Sequence, residues 1–117
     1  MSTILVVDDE EMIRKLIRRM VEVAGREIIE SASASEADTL MQGRGADVAV
    51  ALVDVSLPDI NGADLAAQWL MEYPGLKVVL ISGYPVESSA LVAGRMFFLQ
   101  KPFSRENLQE AVAAAGG

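Results

Sequence analysis

Val48-Ala49-Val50-Ala51-Leu52-Val53-Asp54-Val55-Ser56-Leu57-Pro58-Asp59-Ile60-Asn61-Gly62 is the stretch that decides how this chain folds. Its six consecutive apolar residues, 48–53, read as a strand buried on both faces, the kind found inside a parallel sheet. Pro58 and the Asn61-Gly62 pair mark a loop directly after it. Asp54 therefore sits at the carboxyl end of a central strand, the edge at which open α/β sheets bind ligands. Three other segments place polar groups at equivalent points. Ile4-Leu5-Val6-Val7 runs into Asp8-Asp9-Glu10, Val78-Val79-Leu80-Ile81 into Ser82-Gly83, and Phe97-Phe98-Leu99-Gln100 into Lys101-Pro102. If these strands are parallel neighbours, an acidic pair, a single Asp, a hydroxyl and an ammonium converge on one small cleft.

Helical patterns alternate with the strands. Ile13, Leu16, Ile17, Met20 and Ala24 follow i, i+3, i+4 spacing and predict an amphipathic helix, with Gly25 suited to its C-cap. Glu27 to Glu30 reads as a short strand. Ser33 or Ser35 can cap a second helix through about Met41, which Gly43 should break. A third helix starts near Gly62 and ends before Pro74, burying Leu65, Trp69 and Leu70. A fourth, short helix fits between Val86 and Ala93. The last takes Ser104 as N-cap and runs through Leu108 and Val112, and Gly116-Gly117 should fray. Five βα units in sequence predict an α/β fold: a five-stranded parallel sheet, doubly wound by five helices through right-handed crossovers. No repeat, low-complexity stretch or linker interrupts residues 1–117, which read as one domain.

Composition narrows the chemistry. A length of 117 residues suits a single core, and 51% apolar content is unlike a disordered segment. No apolar run approaches the ~18 residues of a membrane span. The N-terminus lacks a basic region followed by an apolar core, so no signal peptide is expected. There is no Cys, which excludes disulfides and thiolate metal sites and gives no pointer to secretion. A cytoplasmic location is expected. A net charge of −7 argues against direct nucleic-acid binding. There is no His, so any imidazole the chemistry requires must come from another chain or domain. Trp69 and the Met residues read as packing, and Asp59 and Asp64 as solvated or capping groups. Gly43-Arg44-Gly45 is too short for a phosphate loop and follows no strand.

Taken together, Asp8-Asp9, Asp54, Pro58 with Asn61-Gly62, Ser82 and Lys101-Pro102-Phe103 resemble the response-regulator receiver domains of two-component signalling, over nearly the whole chain. The resemblance implies the flavodoxin-like strand order 2-1-3-4-5. It implies a Mg²⁺ ion held directly by Asp9 and Asp54, through water by Asp8, and by the backbone carbonyl of Ser56. It makes Asp54 the phosphoacceptor, taking a phosphoryl group from the phosphohistidine of a sensor histidine kinase or histidine phosphotransfer domain. Lys101 then neutralises the transferring oxygens and the Ser82 hydroxyl donates to one of them. The physics agrees. Crowded carboxylates resist full ionisation, Mg²⁺ prefers oxygen ligands, a carboxylate can serve as nucleophile, and phosphoryl transfer needs mainly positioning and charge neutralisation. The added phosphate charge would draw Ser82 toward it, and the family's aromatic switch position on strand 5, here Phe98, would turn inward. The face built by the fourth helix, the fifth strand and the last helix would change shape as a population shift. Tyr84 and Ser56 flank the approach of attacking water.

Plainer readings stand beside these. Asp8, Asp9 and Glu10 suit a helix N-terminus, Ser82 before Gly83 suits a turn, and an aromatic on a buried strand suits packing. The stretch from Ser82 to Lys101 is shorter than in typical receivers, with Gly83-Tyr84-Pro85 and Gly94 trimming the fourth helix. The wording around Ile81-Ser82-Gly83-Tyr84-Pro85 and Phe98 to Phe103 resembles receivers attached to hybrid sensor kinases more than those of DNA-binding regulators. Phe97 stands where many of the latter carry an acid used in dimer pairing. No independent turnover is expected beyond self-phosphorylation and slow dephosphorylation. Two alternatives differ in class: a receiver-like binding module that signals without phosphate, and an Asp-nucleophile phosphatase of the haloacid dehalogenase type. The second would want an Asp two residues after the nucleophile, where this chain has Ser56.

Overall fold

The structure, a computed structural model, describes residues 3–22, 26–85 and 94–116. In chain order the elements are β1 (Thr3–Val7), α1 (Glu11–Val21), β2 (Glu27–Ser31), α2 (Ala34–Arg44), a 3₁₀ turn (Gly45–Asp47), β3 (Val48–Asp54), α3 (Gly62–Glu72), β4 (Lys77–Ser82), β5 (Met96–Gln100) and α4 (Arg105–Ala114). All five strands are parallel, in the order β2-β1-β3-β4-β5. The expected short helix at 86–93 and the Gly25 cap lie outside the described residues.

The unbroken apolar runs are explained by two cores, one on each side of the sheet. Strand side chains alternate in direction. Ile4, Val6, Val50, Leu52, Val79, Ile81 and Leu99 pack with Ile17 and Val21 of α1 and Leu108 and Val112 of α4. Their strand neighbours Leu5, Val7, Ala51, Val53, Val78, Leu80 and Met96 pack with α2 and α3. Every position of these runs is thus apolar because both faces are covered.

Local chemistry sets the helix ends. Ser33 caps α2 by accepting from the Glu36 N–H. Asn61 caps α3 by accepting from Ala63 N–H at 2.8 Å. Ser104 and Asn107 form a reciprocal capping box at α4. Asp59 does cap a helix, but a distant one: its two oxygens accept from Ala34 and Ser35 N–H at the start of α2, at 3.0 and 2.9 Å. Asp64 is exposed in the first turn of α3. Trp69 is fully buried, and its indole N–H donates to Asp38 at 3.1 Å.

Three expectations are corrected. The buried stripe of α1 runs through Ile17 and Val21, with Ile13 and Met20 beside it, while Leu16 is 44% exposed. Gly43 does not end α2, which continues to Arg44; a Cβ at position 43 would meet open space, and one glycine costs a helix only about 1 kcal/mol. Met12 and Met71 are 82% and 87% exposed, so packing accounts for Met41 and Met96 but not for them.

Candidate functional site

At their carboxyl ends β1 is tied to β2, β3 to β4 and β5 to β4 by backbone bonds that continue the sheet. Asp8 N–H donates to Ser31 O at 3.1 Å, Val55 N–H to Ile81 O at 2.9 Å, and Lys101 N–H to Ser82 O at 2.8 Å. These bonds fix where the four predicted polar groups begin. Asp8, Asp54 and Ser82 are all buried. Asp8, Asp54 and Lys101 continue the alternation that faces α1 and α4, so they meet: the Lys101 ammonium lies 3.5 Å from Asp8 Oδ2 and 3.4 Å from Asp54 Oδ2. Ser82 continues the other alternation, the one shared by Leu80 and Phe98.

Both carboxylates are oriented by their own backbone. Asp8 Oδ1 accepts from Glu10 N–H at 2.9 Å, and Asp54 Oδ1 from Ser56 N–H at 3.1 Å. In each case one oxygen is spent on a local turn and the other faces Lys101. Ser82 Oγ accepts from Tyr84 N–H at 3.0 Å. Ser56 pairs with Asn61 in an isolated antiparallel bridge, closing the loop after β3. Gly62 then passes so near the Asp54 carbonyl that a Cβ would collide with backbone, which explains the glycine. The Lys101-Pro102 peptide is cis.

Burial raises the Asp8 pKa above the ordinary carboxyl range. The Asp54 charge pushes the same way, against the Glu10 N–H and Lys101. For Lys101 burial works downward, but Asp8 and Asp54 outweigh it and hold the ammonium's pKa above its usual value.

The carboxylate oxygens of Asp8, Asp9 and Glu10 come within 4.8 Å of one another. Asp9 and Glu10 are exposed, Asp8 is not. Glu10, which the expected set did not include, joins this group, and Asp54 meets Asp8 across the Lys101 ammonium. All donors are carboxylate oxygens, with no nitrogen or sulfur among them, which fits a hard cation such as Mg²⁺. Contacts that reach between elements were not evident in the sequence: Arg14 on Asp8 and Glu30, and Arg95, whose guanidinium donates to the carbonyls of Leu70, Tyr73 and Leu76. The one available signal was that Arg14 and Arg18 sit one helical turn apart.

Residues 4–113 match the response regulator receiver domain family, and the chain belongs to it. It is 33% identical to the sensor kinase CckA of Brucella abortus (strain 2308), over 95% of this chain and 12% of that protein. It is 34% identical to the alginate biosynthesis transcriptional regulatory protein AlgB of Pseudomonas syringae pv. tomato (strain ATCC BAA-871 / DC3000), over 94% of this chain and 25% of that protein. The chain therefore spans a quarter or less of these relatives. Among solved structures, a CheY-like response regulator receiver domain protein from Methanospirillum hungatei JF-1 superposes with a TM-score of 0.84 at 26% identity, covering 97% of this chain and 91% of that one. The receiver family and its fold, expected from the motifs, are thus established. Sensor kinases and transcriptional regulators stand at nearly equal identity. No described helix is long and apolar enough to cross a membrane.

Proposed function

We propose that this receiver domain accepts a phosphoryl group on Asp54 from a phosphohistidine carried by a sensor histidine kinase or histidine phosphotransfer domain. The observation that carries the reading is a buried carboxylate at the end of the central strand with an ammonium 3.4 Å from the oxygen not used in its own turn. That oxygen, Oδ2, is the nucleophile. It forms the O–P bond as the P–N bond to the partner's imidazole breaks; the electron pair stays on that nitrogen, and the imidazole, already protonated at its other ring nitrogen, leaves neutral. The chain has no His, so the donor must be supplied from elsewhere.

Lys101 neutralises the transferring oxygens, sliding from the Asp8–Asp54 bridge toward the new phosphate. Ser82 Oγ accepts the Tyr84 N–H, which leaves its own proton for a phosphoryl oxygen. Asp8, Asp9 and Asp54, with the Ser56 carbonyl, would hold Mg²⁺, and Glu10 stands close enough to join them. The bound ion supplies charge neutralisation and a fixed ligand frame. Phe98 lies on the same sheet face as Ser82, on the neighbouring strand, which supports pairing them as a switch. Independent turnover is not part of this reading.

The acceptor can be located by reductive trapping. After incubation with acetyl phosphate and Mg²⁺, borohydride converts an aspartyl phosphate to homoserine, which tandem mass spectrometry places in the chain. Homoserine at position 54 is expected. Homoserine elsewhere, or none in a protein that has taken up phosphate, contradicts the assignment.

A further inference from the structure

Asp8 is held from a direction that the phosphoacceptor reading does not use. Arg14, in the second turn of α1, donates from Nη1 to the Asp8 backbone carbonyl at 2.6 Å. Its Nε lies 3.4 Å from Glu30 Oε1 on β2, and Arg18, one turn further along α1, donates to the other oxygen, Oε2, at 2.8 Å. The Arg14 side chain is 15% exposed and Glu30 25%, while Arg18, at 46%, lies on the solvent side of the arrangement.

We propose that Arg14, braced by Glu30, is a positioning residue for the acidic cluster and sets its affinity for a divalent cation. The inference rests on the Mg²⁺-dependent reading above. The physical argument starts from the peptide bond. The Asp8 carbonyl and the Asp9 N–H belong to one planar unit. Fixing the carbonyl fixes the plane from which Asp9 departs. The other face of Asp8 is already fixed, since its N–H donates to Ser31 O on β2. Arg14 supplies the second constraint, and it draws on the same strand through Glu30. Asp9 is exposed, so its direction depends on this backbone rather than on packing.

A guanidinium is suited to this task. Its donors are spread across a rigid plane, so one can meet a carbonyl while another meets a carboxylate. A lysine keeps the charge and loses the fork. The stability of the ion pairs is not a sufficient reason for the arrangement, because partly exposed pairs contribute only about 0–1 kcal/mol. Groups that orient metal ligands matter more to metal affinity, about 10–100-fold when removed.

The test is calorimetric titration of Mg²⁺ into the parent, Arg14→Lys and Glu30→Gln, with the thermal midpoint of each measured in EDTA. Arg14→Lys preserves local charge, so a change in affinity reports geometry. Mg²⁺ binding about tenfold weaker in Arg14→Lys is expected, with a metal-free midpoint near the parent's. A smaller loss in the same direction is expected for Glu30→Gln. Affinity within about twofold of the parent in a folded Arg14→Lys overturns the proposal and leaves Arg14 a structural brace. If Arg14→Lys does not fold, Glu30→Gln decides by the same criterion. A parent that binds no Mg²⁺ overturns the phosphoacceptor reading itself, and this proposal with it.

Discussion

Replacing Lys101 with Met removes the ammonium between two buried carboxylates and preserves most of the side chain's length. At 3.4 and 3.5 Å, each pair has a gross attraction of about 5 kcal/mol at an effective dielectric constant of ~20. Desolvation of the three groups offsets much of that. Deleting one partner of a buried pair nonetheless costs about 3–5 kcal/mol, because it strands the other charge. Lys101 retains 25% of its side-chain exposure, which lowers the expected loss to about 2–3 kcal/mol, or roughly 10 °C in thermal midpoint. The loss should depend on pH. Asp8 already has a raised pKa, chiefly through burial. The folded state then holds a proton that the unfolded chain has released, so this group's contribution to stability falls as pH rises from the unfolded to the folded pKa. Removing Lys101 takes away one of the influences that lower the Asp8 pKa, and so extends that window upward. The deficit of the variant should therefore be large near neutrality and shrink in the acid range, as pH falls through the raised pKa of Asp8. Mg²⁺ should restore much of it at neutral pH. Urea unfolding of parent and variant in EDTA, at neutral and acid pH and again with Mg²⁺, measures this. Equal stabilities at neutral pH, or a deficit that ignores pH, would mean that Lys101 does not compensate the charge of the two buried carboxylates.

Other outcomes follow from the same geometry. Gly62→Ala places a methyl against the Asp54 carbonyl; it should cost about 3 kcal/mol or more in chemical denaturation, since the obstacle is backbone. A parent-like midpoint would mean the loop after β3 yields freely. Asp59→Ala removes the acceptor for Ala34 and Ser35 N–H and should destabilise by about 1 kcal/mol, with faster amide exchange confined to the first turn of α2. Unchanged exchange there would show that Ser33 alone caps the helix.

Much of this fold was legible because the central strands are short, apolar along their runs and punctuated. The runs at 4–7, 48–53 and 78–81 leave only a sheet covered on both faces. The site was legible for the same reason: Asp8, Asp54, Ser82 and Lys101 each end a strand, so parallel pairing alone brings the ends together. The register of α1 was less so. Leu16 and Val21 both fit a helical apolar spacing with Ile13 and Ile17, and only the tertiary packing places Val21 in the core and leaves Leu16 exposed. Met12 and Met71 show the same limit, since an apolar side chain does not announce its face. Contacts that join distant elements left little trace in local pattern. Asp59 reads as a solvated or capping group, and which helix it caps is open until α2 is placed beside it; nothing in local pattern ties Arg14 to Glu30 or to the Asp8 carbonyl.

The decisive measurement is intact-protein mass after incubation with acetyl phosphate, with and without Mg²⁺, in parent and Asp54→Asn. A gain of one phosphoryl group is expected in the parent, dependent on Mg²⁺ and absent in Asp54→Asn. A folded parent that gains none, or an Asp54→Asn protein that still gains one, would contradict Asp54 as the phosphoacceptor.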